Sequence, residues 1–390
     1  MRCRSMHLNR IRGTCILILL FSFITTMEAG SDGRTVRIWL KIFQKRDRIT
    51  LNNRSGLLVN DASIPVVTVD IALAGGRLET GGALFDSVRI YPADGGLTTI
   101  TTVYGEKTYS GFFDIGLKEG QLFVVNTTPF NDYLMGVVGS EMGESFRLEA
   151  LKAQAVCSRT YFLAVREKSG DYDACDVAGR FQAFRGMQYA GDKTREAVLS
   201  TDGQVLRSPD PDFIPWFHST CGGMLLTPAE AWRDAAIDPS RAAPRFDSDE
   251  NSPRCRISPF FSWSACLEEG EIIRALKKQT GHDISGMEFV FNNHGLLRHV
   301  LLSAGNKKIE VMPGFTFKAC LERQGIAAIR SVRFSAEKKG DRWCFTGRGF
   351  GHLVGLCQWG AEAQARQGKV YDEILKSYYP GVSVLHKDGY

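Results

Sequence analysis

The chain has 390 residues, of which 44% are hydrophobic and 23% charged, enough apolar material to bury a sizeable core and too much for disorder. Its 48 basic and 43 acidic side chains leave a net charge of only +5, with Arg and Lys scattered and not massed in blocks. That pattern gives no nucleic-acid footprint and leaves a mild attraction to an anionic polymer, while the length suits one large domain or two moderate ones.

At the N-terminus Arg2, Arg4, Arg10 and Arg12 precede an apolar run of about thirteen residues, 15–27, and Glu28, Ala29, Gly30 and Ser31 then open a polar segment. Residues 1–29 therefore read as a secretion signal, which places the mature chain in the periplasm or at the cell envelope. The run is shorter than the roughly 20 residues that cross a bilayer as a helix. Cleavage after Ala29 fits imperfectly, because Met27 is larger than the small residue preferred there, so a retained membrane anchor stays open.

Residues 30–124 read as a β-rich N-terminal domain. Short β-prone runs at 36–43, 65–72, 87–91, 97–104 and 121–125 are separated by turn pairs such as Asn52-Asn53, Gly75-Gly76, Gly81-Gly82 and Gly95-Gly96. Beyond Pro129 the period changes. Helices are predicted over 131–142 and 145–168, the second carrying Leu148, Leu151, Ala155 and Phe162 near one stripe, with Ser145 as N-cap, Glu149 in the first turn and Gly170 as the stop. Strand patterns follow at 213–217, 288–291, 297–302, 308–312 and 332–334, and helical ones at 269–280 and 356–367. The fold class is α+β: a β-rich N-terminal part, then a mixed core over 125–390 in which two helices flank Glu141.

Without the leader, eight cysteines remain, Cys157, Cys175, Cys221, Cys255, Cys266, Cys320, Cys344 and Cys357. An even count in an oxidising compartment permits disulfides without fixing their pairing, and a buried free thiol is the default for each.

The most informative block runs Asn131-Asp132-Tyr133-Leu134-Met135-Gly136-Val137-Val138-Gly139-Ser140-Glu141-Met142, followed by Leu148-Glu149-Ala150-Leu151 and Ser158-Arg159-Thr160-Tyr161. Glu141 stands at the junction of the two helices. With Val138, Met142 and Phe146 nearby its carboxyl could be desolvated enough to keep a proton near neutral pH, the state a general acid needs at a glycosidic oxygen. Spacing alone favours a solvated helix-end residue like Glu144 or Glu149.

Two further blocks appear in order: Trp216-Phe217-His218-Ser219-Thr220-Cys221-Gly222-Gly223, and Gly347-Arg348-Gly349-Phe350-Gly351-His352-Leu353-Val354-Gly355-Leu356-Cys357-Gln358-Trp359-Gly360. Together the three resemble the signature of the SpoIID/LytB family over about 125–384. The resemblance implies a lytic transglycosylase that cleaves peptidoglycan glycan strands, preferentially strands stripped of stem peptides, and leaves 1,6-anhydro-muramyl ends. It implies Glu141 as catalytic acid and base, and Arg159, Tyr161, His218, Ser219, His352 and Gln358 as substrate-binding residues. One carboxylate suffices for that chemistry, since the sugar's own 6-hydroxyl is the nucleophile, whereas hydrolases generally use a pair. For His218, His352, Gln358 and Tyr161 a hydrogen-bonded structural role remains equally open.

No cofactor or metal is expected. Some family members carry a zinc-binding segment ahead of the H-S-T motif, but the matching stretch 175–182 keeps Cys175 and has Arg180 and Phe181 where other ligands belong. The His218–Cys221 spacing is by itself weak evidence for zinc, and a Cys221–Cys255 disulfide or free thiols is the expectation there. The glycines at 347, 349, 351 and 355 lack the βαβ setting of a dinucleotide site. Leu353 replaces a small, glycine-like residue of the family pattern and is expected to add bulk beside His352. The partners implied are glycan strands and, under a rival reading, a cell-wall amidase that a non-catalytic chain would stimulate, or a septal or engulfment complex.

Overall fold

The computed structural model describes residues 34–60, 62–168, 170–177, 179–232, 245–246 and 253–387. The secretion signal expected at 1–29 lies outside them. Among the described residues no helix is long and apolar enough to cross a membrane.

The N-terminal part is one large, mostly antiparallel sheet. Its strands are β1 (Thr35–Trp39), β2 (Arg48–Val59), β3 (Val66–Ala74), β4 (Arg77–Thr80), β5 (Ala83–Phe85), β6 (Val88–Pro92), β7 (Thr98–Thr102), β8 (Gly105–Tyr109), β9 (Phe112–Lys118), β10 (Gln121–Pro129) and β11 (Ala174–Cys175). They run in the order β11-β1-β10-β9-β6-β2-β3-β4-β5, with β7 pairing β2 and β8. Alternation of apolar and polar residues sends Ile49, Leu51, Ile90, Phe113, Ile115 and Val124 to the buried face. β2 bends where its register shifts between Asn52 and Leu57, which lets one long strand serve β3, β6 and β7 in turn.

Strand β10 leads without a gap into α1 (Phe130–Glu141), and α2 (Leu148–Val165) packs against it. Both helices share one hydrophobic core with the sheet, through Tyr133, Leu134, Val137, Leu151, Val156 and Phe162. The division expected between residues 124 and 125 thus passes through a single strand. Ser145 is not the cap of α2. The chain turns at Gly143, whose φ of 78° suits glycine, and Arg147 holds the cap position with its N–H on Glu362 Oε2 at 2.7 Å. The helix also stops at Val165, short of Gly170.

Next come α3 (Asp192–Ser200), β12 (Gln204–Arg207), β13 (Phe217–His218), β14 (Met224–Leu225), α4 (Pro228–Trp232) and β15 (Arg245–Phe246). A second core, built from Leu276, Val300, Phe317, Phe334 and Phe345 among others, underlies β16 (Ser262–Glu268), α5 (Glu269–Thr280), β17 (Gly286–Phe291), β18 (Leu297–Ala304), β19 (Lys307–Pro313), α6 (Gly314–Arg323), β20 (Phe334–Lys339) and β21 (Arg342–Arg348). Cys266 and Cys344 oppose each other across β16 and β21 and form a disulfide. Cys221 and Cys255, one pairing expected from sequence, are separate thiols 3.3 Å apart. The chain ends through β22 (Leu356–Cys357), α7 (Gln358–Arg366), α8 (Tyr371–Tyr378) and β23 (Ser383–His386), and β22 lies parallel to β13, so the second and third motif blocks are paired strands.

Candidate active site

Glu141 closes the last turn of α1, and the sequence around it explains how a carboxylate comes to lie there half-buried. Two glycines on α1, Gly136 and Gly139, let the segment 181–190 press onto the helix: a Cβ at Gly139 would lie 2.0 Å from Tyr189 O, and one at Gly136 would lie 2.5 Å from Phe184 Cε2. That close approach brings the Ala183 N–H to Glu141 Oε1 at 2.8 Å and the Arg185 N–H to Ser140 Oγ at 3.1 Å. Gly139→Ala is accordingly expected to cost about 1–3 kcal/mol through overpacking against backbone. It should also lower turnover as Ala183 is pushed off the carboxylate, so chemical melts and turnover measured on the same variant check it.

Burial raises the Glu141 pKa above the ordinary glutamate value, against hydrogen bonds from the Ala183 N–H and the Gln358 side chain and the charge of Arg185. The C-terminal position on α1 adds to this in kind, since a helix end of negative polarity favours the neutral acid. Gln358, the first residue of α7, also reaches Gln154 Oε1 at 3.4 Å, and Gln154 donates to Ser158 Oγ at 2.9 Å, so a chain of amides ties the third motif block to α2 behind the acid. Tyr161 feels the same carboxylate; burial pushes its phenol up to about 12, with the charge of Glu141 second.

From Tyr161 an aromatic wall continues outward. Its ring meets Trp216 edge-on at 5.3 Å, Trp216 meets Trp232 at 4.6 Å, and His352 stands 5.2 Å from Trp232 and 6.0 Å from Trp216. Trp232 is 44% exposed, a surface on which a sugar ring can stack. His352 is held by the Val354 N–H on Nδ1 at 3.1 Å, which makes Nε2 the protonated nitrogen, and burial pushes its pKa down to about 4, so it is neutral at neutral pH.

On another flank Ala183 and Arg185 line a groove of ≈ 830 Å³ whose cations are Lys41, Lys45, Arg46, Lys107 and Arg185. Its acid, Asp176, accepts the Lys41 N–H at 2.9 Å and the Ile42 N–H at 3.2 Å, and burial pushes its pKa up to about 6. The groove is therefore positive, and it shares with Glu141 the residue Ala183, whose N–H donates to the carboxyl.

The structure brings Glu141, Gln358 and Tyr161 together, with His352 further along the wall and Ser219, half-buried, on the loop after β13. It corrects two assignments. Arg159 is 0% exposed, and its guanidinium donates to Gln204 O at 3.0 Å and Val198 O at 3.2 Å, clamping α2 to α3 and β12, so it cannot touch a sugar. His218 is 4% exposed and turned inward, with Nδ1–H donating to Val354 O at 3.0 Å. Leu353 also differs from its expected effect. It has a φ of 64°, which accounts for a glycine-like residue in the family pattern, but its side chain is wholly buried in the second core and adds nothing to the cleft. Glu144 is no partner for Glu141: Gly143 breaks the helix between them, and Glu144 accepts the Lys193 N–H, the Thr194 N–H and the Thr194 hydroxyl, capping α3. The contributions of Ala183, Arg185 and Lys107 carry no sequence signal, whereas Trp216 belongs to the second motif block.

The α+β fold thus places a half-buried carboxylic acid at a helix end, beside Gln358 that directly follows the β22 strand paired with β13. Residues 118–207 match the family model described as SpoIID, Stage II sporulation protein. It is 29% identical over 283 residues to Stage II sporulation protein D of Bacillus subtilis, covering 68% of this chain and 77% of the relative. Against the Amidase enhancer of the same organism it is 27% identical over 288 residues, covering 64% of this chain and 40% of the relative. A protein of Brachyspira hyodysenteriae is 28% identical over 297 residues, covering 73% of this chain and 74% of that one.

Proposed function

We propose that the chain is an exported lytic transglycosylase of the cell envelope that cleaves peptidoglycan glycan strands, with Glu141 as the single acid and base. The observation that carries this reading is the raised pKa of a carboxyl that is positioned by Ala183 N–H and Gln358 and has no second carboxylate facing it from Glu144. Protonated Glu141 gives its proton to the bridging oxygen. The carboxylate so formed takes the proton of the 6-hydroxyl as that oxygen closes on the anomeric carbon, which regenerates the acid without water.

The positive groove supports a strand stripped of stem peptides, because removing the peptide leaves a free lactyl carboxylate on each muramic acid. Arg185→Ala combined with Lys107→Ala is expected to raise KM for denuded strands several-fold and to flatten its dependence on salt, with kcat changed less. An unchanged KM and salt profile would remove the groove from the substrate path.

The Amidase enhancer relative keeps a second reading in play, a non-catalytic partner of a cell-wall amidase. Mass spectrometry of denuded glycan incubated with the purified chain alone separates the two. Anhydro-muramyl products support the transglycosylase, and intact strands with stimulation of an added amidase support the enhancer.

A further inference from the structure

Three residues that the proposed glycan chemistry does not use meet beneath the H-S-T and G-H motifs, and a fourth touches two of them. A ring nitrogen of His218 and the thiols of Cys221 and Cys357 lie within 4.8 Å of one another, all three residues buried. Cys255, also buried, has its sulfur 3.3 Å from that of Cys221 and next to that of Cys357. We propose that His218, Cys221, Cys255 and Cys357 form a closed metal site, three thiolates and one imidazole, for a tetrahedral thiophilic divalent ion, zinc foremost.

The surroundings suit thiolates better than thiols. Backbone N–H groups point at the sulfurs: Cys221 N at 3.2 Å and Gly360 N at 3.4 Å from Cys357 Sγ, and Gly223 N at 3.4 Å from Cys221 Sγ. Cys357 is also the N-cap of α7, at the positive end of a helix dipole. Cys255 is hydrogen-bonded to Cys221, Cys357 and the Gly222 and Gly223 backbone.

The histidine is prepared in the same sense. A carbonyl only accepts, so Val354 O fixes the proton on Nδ1 and leaves the lone pair on Nε2, a buried atom with no hydrogen-bond partner. An imidazole oriented by a backbone carbonyl on its second nitrogen is the usual outer-shell arrangement of a metal ligand. Three sulfurs and one nitrogen favour zinc over magnesium or calcium, and two thiolates on one tetrahedral zinc sit about 3.8 Å apart for a Zn–S bond of about 2.3 Å. Binding involves no redox step: three thiol protons pass to solvent as the ion enters.

The ion would tie together three stretches far apart in the chain, the β13 loop, the turn at Arg254–Ile257 and the start of α7. It would thereby brace the strand pairing that presents Gln358 to Glu141. This stretch is distinct from 175–182, where Cys175 is buried in β11.

The test is metal content of the full chain, read without any substrate and so independent of whether glycan is cleaved. Protein purified under reducing, chelator-free conditions and dialysed against zinc is expected to hold one zinc per chain. Cobalt substitution should give intense near-ultraviolet sulfur-to-cobalt bands with a tetrahedral visible spectrum. Cys221→Ser, Cys255→Ser and Cys357→Ser should each weaken zinc binding by at least tenfold, while Cys320→Ser, in the second core, keeps it. Failure of the wild-type chain to retain zinc or to show the cobalt bands would overturn the proposal even if the serine variants do not fold. So would recovery of a Cys221–Cys255 disulfide with no metal.

Discussion

Glu141→Gln is expected to abolish release of anhydro-muramyl products from denuded glycan, a fall of at least the 10²–10⁴ attributed to positioned proton transfer. The amide is nearly isosteric, and its oxygen can still accept the Ala183 N–H, so thermal melts should match the wild-type within a few degrees. The pH profile carries the sign. Burial raises the Glu141 pKa, so the working protonated form dominates below the folded-state value, and activity falls as pH climbs through it. The same shift means that ionising Glu141 costs stability in that alkaline direction, a loss the Gln variant should escape. Full activity of purified Glu141→Gln would end the proposal that this residue is the acid.

The second large effect falls on stability. Arg159→Met keeps much of the side-chain volume but strips Val198 O and Gln204 O of their charged donor inside the protein. Leaving buried acceptors unpaired costs about 1–3 kcal/mol each, so a loss on the order of 3 kcal/mol or more is expected in urea melts. Where the variant remains folded, KM for glycan should be unchanged. A normal melt with a raised KM would return Arg159 to the substrate and undo the structural assignment.

That residue also marks how far local pattern reaches. The helical periodicity of 131–142 and 148–165 was readable because each presents a continuous apolar stripe, and Glu141 stood out as a carboxylate at their junction. Arg159 is close to Tyr161 along α2, but two residues along a helix is more than half a turn, and so the guanidinium faces α3 while the phenol faces Trp216. The 12-residue β2 is not legible because Asn52-Asn53 reads as a turn pair, when it marks the bend of one strand. Two of the N–H groups at the acid's motif, Ala183 and Arg185, lie in a segment without repeating structure, and the cations of the groove come from positions as distant as Lys41 and Arg185. Nothing periodic links them; only the close approach at Gly136 and Gly139 does.

The parallel pairing of Phe217 with Leu356 and His218 with Cys357 bears on how this protein can be dissected. A fragment limited to 118–207 would keep Glu141 yet lose Gln358, Trp216 and every ring beyond Tyr161, and would bare the apolar flank of α2 that they cover. Excised pieces should therefore be sticky, and they would lack the amide of Gln358 that α7 brings back to the Glu141 carboxyl.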